Sequence, residues 1–455
     1  MNIHILGVGG TFMAGLAGLA KQLGHSVTGS EKKKIYPPMS TQIEKLGIPV
    51  NYGYMENSIP ENTDLVIIGN SLSRGQPIIE KILDEKISFT SGPAWLNQEV
   101  LKDRKRIVVS GTHGKTTVAS LIAWILEENG FHPGFLIGGV PGNFPRSAEL
   151  GDGKFFVIEG DEYDSAFFDK RSKFAHYDPD ILIINNLEFD HADIFSNLAQ
   201  IIDQFHYMVR AMPSNAHIIR PHRSNSIDKL IDKGCWSSLR TFGPKSGADL
   251  QYSYKKTSNQ SIGFSRGKKI FTGTQIGLGQ HNAENQAAAI LACECAGLPV
   301  EASLESVKSF RNAKRRMEQK GIIGGISIYD DFAHHPTAIR ASLNALKRVV
   351  GMENQLFAII EPSSNSMRMG LHKNKLNFAT KSADKVGIYC NNELQWKPED
   401  YFDEKKFIGC WDSASKLAKF LAANCSVGDY VLVMSNGSSE GLHDLLLEAL
   451  KGKEI

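Results

Sequence analysis

The stretch Arg106–Leu126, RIVVSGTHGKTTVASLIAWIL, constrains the fold of this chain more tightly than any other. A short apolar run, Ile107–Val109, leads into a turn with two glycines and then into an apolar, helix-like pattern. That order predicts a strand, a loop and a helix whose positive N-terminus faces a bound phosphate. Gly111 and Gly114 let the backbone curl so that successive N–H groups point inward. The loop is a shortened form of G-x-x-x-x-G-K-[ST], with Val109 where the first glycine would stand. In this pattern Lys115 reaches the β- and γ-phosphates, and the Thr116 hydroxyl sits on magnesium.

Strands alternate with helices along the rest of the chain, which predicts an α/β protein with mostly parallel sheets covered on both faces. Three segments can be traced: a Rossmann-like N-terminal domain over 1–105, a central P-loop ATPase-like domain over 106–312, and a Rossmann-like C-terminal domain over 313–455. A chain of 455 residues has room for about three such domains. Prolines mark 31–40, EKKKIYPPMS, as a loop, and a helix is expected from near Asn282. Lys+Arg 51 against Asp+Glu 49 leaves +2, which builds no field for nucleic acid or a membrane surface. The start has no basic leader, and no apolar run approaches the roughly 18 residues of a spanning helix, so a cytoplasmic protein is expected. The six cysteines form no C-x-x-C, and Cys293 and Cys295 lie in an apolar helical stretch as expected core thiols.

Other motifs surround the phosphate loop. Gly7-Val8-Gly9-Gly10 after a strand, with Glu31 ending the next strand, suits a diphosphate-binding turn, although Phe12 replaces the last glycine of the dinucleotide fingerprint. VIEGDEYDSAF and INNLEFDHADIF place Glu159, Asp161, Glu162, Asp164, Glu188, Asp190, His191 and Asp193 just past strands, where an α/β sheet collects ligands. Magnesium needs only one or two protein ligands besides phosphates and water. His281 and Asn285 share a helical face, which suits adenine or ribose as well as a simple helix cap. KRRME puts Arg315 and Arg316 on a connector, as a solvated patch or as an arginine that meets the γ-phosphate on domain closure.

The ordered motifs GTHGKTT, EGDEYDSAF, NNLEFDHAD, GQHNAENQAAA, KRRME and YDDFAHHP resemble those of the Mur ligases over essentially the whole chain. That family comprises ATP-dependent enzymes that add amino acids or peptides to a UDP-linked muramyl carrier. YPPMS, NSLSRGQP, SGPAWL and LIGGVPGNF resemble the branch that recycles the tripeptide L-alanyl-γ-D-glutamyl-meso-diaminopimelate onto UDP-N-acetylmuramate. The alternative within the family is the ligase that adds L-alanine. The resemblance implies two magnesium ions, with Thr116 and Glu162 holding one and His191 the other. It implies that Gly111, Thr112, His113, Gly114, Lys115, Thr116, Thr117, His281, Asn282, Asn285, Arg316, Asp331 and His334 bind ATP. Lys115, Glu162, His191 and Arg316 would serve the chemistry. Gly7, Gly9, Gly10, Thr11, Glu31, Ser71 and Ser73 would hold the UDP end, and Arg368 and Asn436 the peptide.

The chain departs from the family pattern in three places. DQFHYMVR has His206 and no lysine to carbamylate, Ser363 stands where arginine is expected, and Ser438-Ser439-Glu440 replaces a glycine-rich turn. Outside the family, an NAD-dependent oxidoreductase would use the Gly7–Gly10 loop but leave the phosphate loop idle, and a nucleotide switch would need no amine acceptor.

Overall fold

The computed structural model describes residues 1–452 except 36, 38, 192, 245, 255–260 and 391–392. Tyr36 and Pro38 of the predicted 31–40 loop, Ala192 of the NNLEFDHAD motif, and the middle of the polar interval near residue 258 therefore lie outside the described residues.

Val- and Ile-rich runs form the inner strands of three separate sheets. Ile107, Val108 and Val109 are fully buried, as are Leu182, Ile183 and Ile184, because helices cover both faces of a parallel sheet. The first sheet is wholly parallel, in the order Val50–Tyr52, Ser26–Glu31, Asn2–Leu6, Leu65–Ile68, Phe89–Ser91. The chain winds outward one way and then crosses back, so its reversal point lies just past Leu6 and Ile68. A ligand crevice is expected at such a point.

In the central sheet Lys105–Ser110 lies between Ile181–Ile184 and Phe155–Gly160, all parallel. Their C-terminal ends release the phosphate loop and both acidic loops side by side. Antiparallel pieces close the sheet at its edges, including Leu250–Tyr254, Ile262–Arg266 and Lys269–Gly273 on one side. The third sheet runs Glu318–Ile323, Ile326–Asp331, Tyr430–Ser435, Leu356–Glu361, Lys385–Tyr389, Phe407–Trp411, with only the first pair antiparallel.

Local boundaries shift from the sequence-based expectations. The helix expected from Asn282 begins at Gln280, behind Gly279 at φ +87°. The 31–40 loop is shorter than expected at its far end, where a helix starts at Met39, while Glu31 ends its strand as expected. Glu318–Ile323 reads as a polar connector but is an edge strand, where one side faces solvent and tolerates Glu318, Gln319 and Lys320.

Helix Gln280–Cys295 is buried on nearly every side, against the central sheet and helix Lys115–Glu128. Ala283, Ala287, Ala288, Ala289 and Cys293 are fully buried, and burial pushes the Cys293 thiol up. The small side chains permit this close approach. Ala288→Leu overfills the layer and costs about 1–3 kcal/mol. The central-domain unfolding midpoint should fall by about 2–12 °C in calorimetry, and an unchanged midpoint would contradict this packing.

Candidate active site

The C-terminal edges of the three sheets meet around one cleft of about 1580 Å³. Gly7, Gly9, Gly10, Thr11, Glu31 and Ser71 line it from the first sheet, Thr112–Thr117 from the second, and Asp331, His334 and Asn436 from the third.

The phosphate loop is held by its neighbours. Gly111 has φ +125°, and a Cβ there would stand 2.8 Å from the Asn186 carbonyl oxygen. Gly114 has φ +83°, and a Cβ there would meet Asn185 Nδ2 and Asn285 Oδ1 at 2.5 Å. Neither position accepts a side chain. The His113 N–H donates to Asn186 Oδ1 at 2.8 Å, and Asn185 Nδ2 donates to the His113 carbonyl at 3.1 Å. Asn185 Nδ2 also donates to Asn285 Oδ1 at 2.8 Å, which brings the HNAEN helix onto the loop.

Charge is densest at Lys115. Its Nζ donates to the Gly111 carbonyl at 2.7 Å and to Glu162 Oε2 at 2.8 Å. Burial pulls the ammonium down, yet Glu162 and Asp161 more than offset this and hold it charged. Lys173 pairs with Asp161 at 2.6 Å. Burial raises the Asp161 carboxyl, but Lys173 and Lys115 win and hold it well below the usual carboxylate range. Glu159 has weaker compensation: burial pushes it up against a 2.7 Å bond from the Gly138 N–H.

Candidate metal donors converge here. His191 Nε2 lies 4.0 Å from Glu162 Oε2, and Arg316 Nη2 donates to Thr116 Oγ1 at 2.9 Å. His191 has φ +56°, a conformation that costs a non-glycine residue energy and often marks a site. Its own N–H is held by Asp190 Oδ1 at 2.8 Å. A hydroxyl and a carboxylate suit magnesium, and Thr116 and Glu162 supply one of each beside the phosphate loop, so these residues fit the ion.

The C-terminal domain closes the cleft from the other side. Asp331 accepts from the Ser342 hydroxyl and from the Ala333 N–H, and burial raises its pKa. His334 and His281 are both lowered to about 4, chiefly by burial, so both are neutral imidazoles at pH 7. Asn282 donates to the Leu278 carbonyl at 2.8 Å and lines the cleft beside His281. In the first domain Glu31 folds over its glycine loop, accepting from the Gly9 N–H at 2.9 Å and the Tyr54 hydroxyl at 3.0 Å.

Two expected residues stand off the cleft wall. Ser73 is exposed, while Arg368 donates to Asn365 Oδ1 and leaves its Nε buried without a partner. Gly111 and Glu162 lie behind the wall, in contact with Lys115. Lys173, Asn185 and Asn186 are cleft residues to which the sequence assigned no role, while Glu188, a carboxylate of the second acidic loop, lines the cleft as well. The paired asparagines after strand Ile181–Ile184 were the available signal for two of them, whereas Lys173 reaches Asp161 only through the hairpin Asp164–Ala166/Asp169–Ser172.

Replacing Lys115 with Met removes the cation at the loop while keeping its length. Nucleotide turnover, followed as ADP release, should fall by roughly 10²-fold or more. Near-normal turnover in a folded Lys115→Met protein would contradict the phosphate-loop reading.

Three family models match nearly the whole chain. The Mur ligase family catalytic domain matches residues 2–104, the Mur ligase middle domain 109–293, and the Mur ligase glutamate ligase domain 315–437. The chain is 45% identical over 460 residues to UDP-N-acetylmuramate–L-alanyl-γ-D-glutamyl-meso-2,6-diaminoheptandioate ligase of Escherichia coli, covering 100% of this chain and 99% of that protein. A UDP-N-acetylmuramate–L-alanine ligase of Desulforamulus reducens is 28% identical over 471 residues, covering 99% and 98%. The crystal structure of a murein peptide ligase from Psychrobacter arcticus matches with a TM-score of 0.78 and 39% identity, covering 100% of both chains. Phosphate loop, acidic loops and three-sheet architecture agree with these matches, and the chain belongs to the Mur ligase family of ATP-dependent enzymes.

Proposed function

We propose that this enzyme joins L-alanyl-γ-D-glutamyl-meso-diaminopimelate to UDP-N-acetylmuramate in the cytoplasm, as a step of peptidoglycan recycling. The observation that carries this reading is the full-length likeness to a tripeptide-adding ligase, well above that to an alanine-adding one. No helix among the described residues is long and apolar enough to cross a membrane, which agrees with small-molecule substrates on both sides of the reaction.

The chain is divided into 1–105, 106–312 and 313–455, and each range has its own task in this proposal. Gly7, Gly9, Gly10, Thr11, Glu31 and Ser71 hold the UDP end at the reversal point of the first sheet. His281, Asn282, Asn285, Asp331 and His334 surround the adenosine, and Gly111–Thr117 with Arg316 surround the phosphates. Asn436 stands at the peptide end, and Arg368 reaches a peptide carboxylate once released from Asn365.

The chemistry follows from the weakness of a carboxylate as an electrophile. A carboxylate oxygen of UDP-N-acetylmuramate attacks the γ-phosphorus of ATP, ADP leaves, and an acyl phosphate forms. The peptide amine then attacks the acyl carbon, and phosphate departs as the amine loses its proton. Lys115 and Arg316 place positive charge where negative charge gathers on the phosphoryl oxygens. Thr116 and Glu162 would hold one magnesium and His191 a second, and these ions supply further charge neutralisation. Domain closure keeps water off the acyl phosphate.

The amine decides the branch. ADP release with UDP-N-acetylmuramate and either the tripeptide or L-alanine should give a kcat/KM at least about 10²-fold higher for the tripeptide, roughly 2.7 kcal/mol in transition-state binding. A preference for L-alanine would overturn the tripeptide assignment, and turnover indifferent to any amine would overturn ligation itself.

A further inference from the structure

Beside the phosphate loop lies a cluster of which only His113 belongs to the ATP-binding residues above. His113 belongs to the loop, Glu188 follows strand Ile181–Ile184, and His335 caps helix Pro336–Val350 of the C-terminal domain. Glu188 Oε2 lies 3.8 Å from His113 Nε2 and 3.5 Å from His335 Nδ1. One donor atom from each of the three residues falls within 4.8 Å of the others. Metal–ligand bonds of ~2.0–2.2 Å set tetrahedral ligand atoms ~3.3 Å apart, so only a small contraction separates these donors from coordination.

The surroundings favour an ion over a plain packing contact. His113 Nε2 and His335 Nε2 are both buried without a hydrogen-bond partner, and His335 is only 3% exposed. Native interiors rarely leave such nitrogens unsatisfied. Thr337 orients the carboxylate, its hydroxyl donating to Glu188 Oε2 at 2.6 Å, and its N–H holds the His335 ring through Nδ1 at 3.3 Å, which leaves Nε2 as that ring's ligating nitrogen. The His335 ring is further fixed by His113 at 4.7 Å and His372 at 4.6 Å between ring centroids. Outer-shell contacts of this kind hold ligands in metal sites.

We propose that His113, Glu188 and His335 form a divalent transition-metal site, separate from the magnesium ligands Thr116, Glu162 and His191, that ties the phosphate loop to the C-terminal domain. Two imidazoles and one carboxylate select zinc, cobalt or manganese over magnesium, which prefers oxygen donors. The ligands come from two domains, so an ion here holds those domains together at the loop that cradles phosphate.

Cobalt(II) is the probe, because its visible absorption reports bound nitrogen and oxygen ligands directly. Titration into the full-length, nucleotide-free enzyme in excess magnesium should give one saturating band. His335→Asn keeps a side chain able to cap the helix, and Glu188→Gln keeps the shape of the carboxylate. Each should weaken cobalt binding by at least about tenfold, while His191→Ala should leave the band in place. No band in the wild type, unchanged affinity in both variants, or loss of the band in His191→Ala alone would overturn the proposal.

Discussion

Half-buried Lys115, which opens helix Lys115–Glu128, and buried Glu162 lie 2.8 Å apart just past neighbouring parallel strands. Neither charge is stable there alone. A buried ion stripped of its partner is strongly destabilising, by about 3–5 kcal/mol. The pair can exist only if strands Lys105–Ser110 and Phe155–Gly160 end in register, which Ser110 opposite Gly160 provides. Around it Lys173, Asp161, Arg316 and Thr116 form further polar contacts, so the wall of the cleft is charged on both sides yet nearly balanced. Such a wall accepts a polyanionic nucleotide and its cations by exchanging partners, with no net charge brought into a bare interior.

The same interactions explain why three sheets share one site. Arg316 lies on the connector to the C-terminal domain, and its bond to Thr116 joins that connector to the phosphate loop. Thr117 donates to Asn312 at 3.3 Å at the end of the central segment, Thr337 reaches Glu188, and Asn365 reaches Asp193 at 2.9 Å. Arg315 and Met317 flank this contact with φ of +61° and +52°, so the connector bends sharply on both sides of Arg316. Each of these contacts where the central and C-terminal domains meet is a polar side chain, whereas the first and central domains share one apolar core in which Leu16 and Leu136 both lie. Domains joined by such polar contacts can separate to admit substrates and close to exclude water.

Much of this was legible in the sequence wherever the determinants are local. Gly111, Gly114, Lys115 and Thr116 fall within one turn and one helix start, so spacing alone carries the geometry. The alternation of apolar runs likewise specified an α/β fold, because parallel strands buried on both faces need continuous Val and Ile. What sequence could not supply were partners set by topology. Lys173 meets Asp161 after a hairpin, Asn285 meets Asn185 across a hundred residues, and Thr337 meets Glu188 from another domain. Ser73, in a motif-rich loop, and Arg368, at the end of the short helix Asn365–Arg368, show the converse, since the course of the chain carries both side chains off the cleft wall. Glu318–Ile323 was hidden for a third reason: an edge strand with a solvent side lacks the apolar signal of an inner one.

The central claim is that the muramyl carboxylate is phosphorylated before the amine attacks. Isotope transfer tests it directly: UDP-N-acetylmuramate labelled with oxygen-18 in its carboxylate is turned over with ATP and the tripeptide, and the released phosphate is analysed. The acyl-phosphate route predicts that one carboxylate oxygen leaves with every phosphate formed. Amide formation with ADP release but no label in the phosphate would contradict it.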